Sequence, residues 1–189
     1  MGSQPTAYSK VFKAFKKLTR SSPNVRDHAM MEAEFFGESD RAVIILAATL
    51  DDYAIEIALR QVLRKDESTD DLFEQGPLGS FSAKIKIGFA LNLFDKVTKH
   101  DLNIIREVRN GFAHDRRPLT FATPEVADMC KHLKLPDYKS VAIPTGYLKV
   151  AKDKSAAKDM KNPKTRYIVA CFTISHFLMA PRGSVPQLP

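Results

Sequence analysis

From Leu102 onward, apolar residues return with the period of an α-helix. Leu102, Ile105, Val108 and Phe112 fall on one face, and Ile104 widens it. That period does not suit a strand, where side chains alternate every two residues. Arg106, Asn110 and His114 stand at i, i+4 and i+8, so they form a polar stripe on the same helix, with Arg109 at its border. A cation, an amide and an imidazole are thereby concentrated where a helix ends.

Two readings of that grouping compete. In the structural one, the helix dipole favours His and Arg near a C-terminus, and Asn110-Gly111 is a fraying last turn. In the functional one, clustered polar side chains mark a site.

Read along the chain, the same periodicity predicts further helices and no β-rich segment. Residues 7–20 set Val11, Phe15 and Leu18 against Lys10, Lys13, Lys16, Lys17 and Arg20, a short basic amphipathic helix. A second helix is expected over residues 25–36. The longest covers residues 40–65. Its first part, residues 42–50, is apolar all round, which predicts a central helix with Ile44, Ile45 and Leu46 in the core. Its later part turns Ile55, Leu59 and Val62 inward, with Asp52, Glu56 and Arg60 on another face. Asp51, Asp52 and Glu56 are read as a solvated face paired with Arg60, in preference to a metal or acid–base site.

Residues 67–75 read as a short helix or a loop, and residues 76–80 as a turn. Ser80 is an N-cap candidate for a helix over residues 81–94, with Ile85, Phe89 and Leu93 on one face. Thr98 and Asp101 have the spacing of a capping box for the following helix. Thr123-Pro124-Glu125 opens another helix, ending near Leu133. Residues 136–161 have no clean period, with short strands expected at 141–143 and 147–150. Asn162-Pro163 starts the last helix, over residues 164–180, with Ile168, Phe172 and Phe177 or Leu178 inward. The expectation is one all-α domain over residues 1–180, an irregular helical bundle, followed by a disordered tail over 181–189.

A length of 189 residues suits one domain, and 44% hydrophobic with 27% charged residues is ordinary for a globular protein. Cys130 and Cys171 have no finger-like neighbours, so neither a metal nor another cofactor is expected, and reduced thiols are. The N-terminal residues are basic and lack an apolar core, so no secretory signal is expected. The apolar runs 42–50 and 167–180 are too short to span a bilayer. These features predict a cytoplasmic protein without a membrane partner.

The net charge of +7 is uneven: residues 10–20 carry +5, residues 131–166 carry +7, and the remainder carries −5. Basic flanks permit contact with a polyanion. Arg106, Arg116, Arg117, Lys152, Lys154, Lys158 and Lys161 are the candidate nucleic-acid contacts, if the basic segment folds beside the helix end. The competing reading is that these lysines form solvated surface.

Three blocks carry a family resemblance. They are Phe35-Phe36-Gly37-Glu38-Ser39-Asp40-Arg41-Ala42, Gly76-Pro77-Leu78-Gly79-Ser80-Phe81-Ser82-Ala83-Lys84-Ile85 and Arg106-Glu107-Val108-Arg109-Asn110-Gly111-Phe112-Ala113-His114. In this order, over about residues 30–130, they resemble the mannitol operon repressor family. The resemblance implies an all-helical, dimeric bacterial regulatory protein. The sequence shows no helix-turn-helix pattern, which points away from direct operator reading and towards protein or nucleic-acid contacts of another kind.

The last block also resembles the HEPN superfamily motif of Arg, a polar residue, three residues and His. Active members are metal-independent ribonucleases. The resemblance implies catalytic roles for Arg109, Asn110 and His114. His114 would transfer protons at an RNA 2′-hydroxyl, Arg109 would stabilise the scissile phosphate, and Asn110 would orient both. It implies two copies facing each other across a homodimer. Arg116 stands where some HEPN toxins carry a modifiable Tyr.

Overall fold

Ser39 starts the first described helix: its backbone is extended, and its hydroxyl accepts the Ala42 amide at 3.3 Å. The computed structural model describes residues 39–180 apart from Gln75 and Lys152. The helices expected over residues 7–20 and 25–36 and the tail over 181–189 lie outside the described residues. Among the described residues the regular structure is helical throughout. In chain order it comprises α1 (Asp40–Arg60), α2 (Glu67–Glu74), α3 (Phe81–Ala90), α4 (Lys96–His114) and α5 (Pro124–Lys131). A 3-10 turn (Leu135–Asp137), α6 (Thr145–Val150), α7 (Lys154–Lys158) and α8 (Pro163–Met179) follow.

The most enclosed helix is α8. Tyr167, Ile168, Val169, Ala170, Cys171 and Ile174 are all fully buried, against α1, α4 and α5. Phe172 and Phe177 are half-buried, and Leu178 is buried. The expectation that α1 is enclosed on every side is corrected. Ile44 is fully buried, but Ile45 is half-buried and Leu46 is 39% exposed. The reason is one of coverage. Helices α3, α4 and α8 pack around α1, yet they leave the side carrying Leu46 and Thr49 open.

Helix α1 also stops at Arg60, short of the expected 65, and Val62 is 38% exposed rather than inward. The polar run after Val62 serves the next helix instead. The Asp66 carboxylate accepts the Thr69 amide at 3.1 Å and so opens α2.

Ser80 caps α3, accepting from the Ala83 amide at 3.2 Å. The helix ends at Ala90, earlier than expected, because Asn92 adopts φ 53°. There the Leu93 amide bonds back to the Gly88 carbonyl at 2.9 Å, and Leu93 and Phe94 fold into the core. The capping box predicted for α4 is not formed. Asp95 is the cap, accepting the Thr98 amide at 2.9 Å, while Thr98 is buried.

Asp101, also buried, accepts amides from across the chain. Lys134 donates to it at 2.9 Å and Leu135 at 2.8 Å, which fixes the turn after α5. Arg166 holds the same turn through its carbonyls. Its Nε donates to Cys130 at 3.0 Å, its Nη2 to Leu133, and its Nη1 to the Asp137 carboxylate at 2.7 Å. An amide-binding carboxylate and a carbonyl-binding guanidinium, from two different helices, thus grip one segment.

The strands expected at 141–143 and 147–150 are absent among the described residues. Residues 145–150 and 154–158 are helical instead. Their apolar anchors, Tyr147 and Ala157, are isolated rather than alternating, and Asp153 caps α7 by accepting the Ser155 and Ala156 amides at 2.9 and 3.0 Å.

The acidic face of α1 is only partly as expected. Glu56 pairs with Arg60 at 2.9 Å, and Arg60 continues to Asp70. Lys84, almost buried, bridges Asp52 at 3.0 Å and Glu56 at 2.9 Å. Asp51, however, belongs to no solvated face, because it is fully buried.

Candidate functional site

The C-terminal end of α4 is where the predicted site residues meet solvent. Leu102, Ile105, Val108 and Phe112 are buried, as their spacing predicts, and this orients the opposite face outward. Arg109 and Asn110 are half-exposed, and Arg109 Nη1 donates to Asn110 Oδ1 at 3.1 Å. His114, the last residue of the helix, is exposed. The three motif residues therefore share one exposed end. Arg106 is engaged by its neighbour Glu107, which reduces its availability to a ligand.

This end is fixed by residues far away in the chain. Arg41, in the first turn of α1, donates to the Phe112 carbonyl and, through Nη2, to the Arg117 carbonyl at 2.7 Å. It satisfies a carbonyl that the helix leaves open as it ends. Asp40 beside it accepts the Phe121 amide at 3.0 Å and the Lys164 ammonium at 3.0 Å. The starts of α1 and α8 thus meet the chain that leaves α4.

Within that exit, Asp115 accepts both the Arg117 amide, at 2.8 Å, and the Arg117 guanidinium. Those bonds lower the Asp115 carboxyl to about 2. Arg117 is consequently occupied, whereas Arg116, also exposed in the exit loop, has no such partner among the described residues. Lys154, Lys158 and Lys161 are exposed, and Lys152 lies outside the described residues. The link between Lys164 and Asp40 brings the start of α8 to the α4 end. Nothing comparable ties Lys154 or Lys158 to Arg109 or His114.

Sequence reasoning missed Arg41, Asp40 and Arg166, which act across 71 or more residues or on irregular backbone. The chain carries no local signal for such contacts. Chemically, the exposed end offers guanidinium and imidazole donors to an anionic or carbonyl-bearing surface. Among the described residues no cluster of His, Cys, Asp or Glu is arranged to hold a metal, and no helix is long and apolar enough to cross a membrane.

Residues 24–175 match the family described as "Mannitol repressor". The chain belongs to the mannitol repressor family. Two mannitol operon repressors, from Escherichia coli strain K12 and from Escherichia coli O6:H1, are each 24% identical to it over 116 residues, or 58% of this chain. That match spans 60% of the length of those curated relatives. The fold is similar to that of a chain in the "X-ray structure of the MtlR-HPr complex from Escherichia coli". The TM-score is 0.60 at 17% identity, covering 80% of this chain and 98% of that one. The mannitol repressor match takes in all three sequence blocks whole, and it reaches well into α8.

Proposed function

We propose that this protein is a regulatory protein of mannitol-repressor type that acts by binding another protein, with HPr as its partner. The observation that carries this reading is the fold shared with a mannitol repressor chain solved in complex with HPr. The exposed end of α4, with Arg109, Asn110, His114 and Arg116, is the contact surface we assign to it. Arg109, Asn110 and His114 stand on the helix end and Arg116 on the loop that leaves it, and all four reach solvent, as a docking surface requires.

Calorimetric titration of the full chain with HPr from the same organism tests the reading. Saturable binding is expected, weakened at least tenfold by the pair His114→Ala and Arg116→Glu, with the melting temperature unchanged. Absence of heat and of co-elution would overturn the partner. Wild-type affinity in the double variant would overturn the surface alone.

A second reading is metal-independent RNA cleavage by two facing copies. It is favoured by the 3.1 Å contact of Arg109 with Asn110 one helical turn from the exposed His114. Incubating labelled RNA with protein in EDTA tests it, and intact RNA, or cleavage that survives His114→Ala, rejects it. RNA held by Lys154, Lys158 and Lys161 would show binding that falls steeply with salt.

A further inference from the structure

Asp51 sits in the middle of α1 with no exposure to solvent, and neither carboxyl oxygen has a hydrogen-bond partner of good geometry. Among the described residues its surroundings contain proton donors but no free cation. From α8 it faces the Cys171 thiol and the Tyr167 ring, whose hydroxyl is spent on the Ile44 carbonyl at 3.1 Å. From α5, Cys130 stands in the same group, its thiol pushed up to about 12 by burial. On its own helix the neighbour is Asp52, a like charge.

The buried cations among the described residues are committed elsewhere. Lys84 of α3 is held between Asp52 and Glu56, and Arg166 of α8 is held by Asp137 and the carbonyls after α5. The titratable group that α4 buries, Asp101, is taken by the Lys134 and Leu135 amides. An isolated carboxylate in such a place is strongly disfavoured relative to the neutral acid.

We propose that Asp51 is a neutral carboxylic acid in the folded protein, and that its ionisation is coupled to separation of α1 from α8. The pair forms a pH-sensitive latch. With the acid protonated, α8 closes on α1 through Cys171 and Tyr167. With it ionised, the charge reaches water only if the two helices part. Burial raises the carboxyl well above its ordinary range, the Cys171 thiol offsets part of that, and the Asp52 charge adds to it.

The direction follows from proton counting. Above the unfolded value of about 3.9, the folded state holds a proton that the unfolded state has lost. Stability therefore falls as pH rises, until the folded value is passed. Within that window the folding equilibrium loses about a factor of ten per pH unit relative to a chain without the acid.

Urea unfolding of the wild-type chain and of Asp51→Asn between pH 5 and pH 8 reads this out. The stability of the variant relative to wild type should rise about tenfold per pH unit over at least part of that range. Parallel profiles would overturn the neutral acid. Should Asp51→Asn fail to fold, a 13C titration of the wild-type Asp carboxyls decides the same point, since an Asp51 signal already ionised at pH 5 would overturn it. Hydrogen exchange tests the latch: protection of α8 amides in the wild type should fall with pH, whereas protection of α2 amides should not. Equal pH trends in α8 and α2 would overturn the coupling.

Discussion

Arg41 lies over Phe112, its guanidinium carbon 5.8 Å from the ring centre, while the same guanidinium donates to the Phe112 carbonyl. One residue from the first turn of α1 thus closes the end of α4, which carries Arg109, Asn110 and His114. Arg41→Ala should cost about 1–3 kcal/mol, because it strips a charged donor from a half-buried carbonyl. Chemical denaturation should show a lower midpoint with an unchanged slope. Hydrogen exchange should quicken at residues 112–117 before it does in α8. Uniform quickening would mean that Arg41 does not hold this end in particular.

The two faces of α1 should respond differently to truncation. Ile44→Ala removes a fully buried side chain and should cost about 2–5 kcal/mol. Leu46→Ala, on the open side, should stay within about 0.5 kcal/mol of wild type. Thermal unfolding of both variants checks this, and a large loss at Leu46 would reveal a cover on that face.

Glycine positions offer an opposite pair. A Cβ at Gly88 would meet Phe94 ring carbons at 2.8 and 3.0 Å, and Phe94 is buried. Gly88→Ala should therefore cost about 1–3 kcal/mol through overpacking. Gly111 lies in the α4 helix with nothing within 4 Å of an added Cβ. Gly111→Ala should stabilise by up to about 1 kcal/mol, since alanine loses less backbone freedom in a helix. Paired melting curves would show shifts of opposite sign.

Asp115 gives a prediction in acid. Hydrogen bonds from the Arg117 side chain and amide lower its carboxyl to about 2. A depressed folded value means that its contribution is complete above the unfolded value of about 3.9 and is lost as pH falls towards 2. Arg117→Ala should move the Asp115 titration, followed by NMR, upward towards the ordinary range. An unmoved titration would show that the pair is not formed in solution.

The helical class, and the α4 stripe in particular, could be read from periodicity because each buried residue repeats a local spacing. Leu102, Ile105, Val108 and Phe112 all fell inward for that reason. The caps at Ser39, Ser80 and Asn162 lie within three residues of the amides they serve, so composition reveals them or permits them. Two kinds of feature were not legible. The exposure of Leu46 depends on which neighbours reach α1, and no window of sequence contains that. The contacts of Asp101 with Lys134, of Arg166 with Cys130 and of Arg41 with Arg117 bind backbone 33 to 76 residues away, where any amide or carbonyl would have served equally. The motif residues could be named from spacing and resemblance, but the bracing that presents them could not.

The grip of Asp101 and Arg166 on residues 130–137 sets where this protein can change length. Arg166 takes the carbonyls of Cys130, Lys131 and Leu133, and Asp101 the amides of Lys134 and Leu135 that follow, so one inserted residue would move a whole set out of register. In the turn between α1 and α2 the described contacts of Thr69, to Arg64 and Asp66, are local. That turn, and not the corner after α5, is the junction where a tag, a reporter or a new chain terminus can be spliced in without disturbing the bundle.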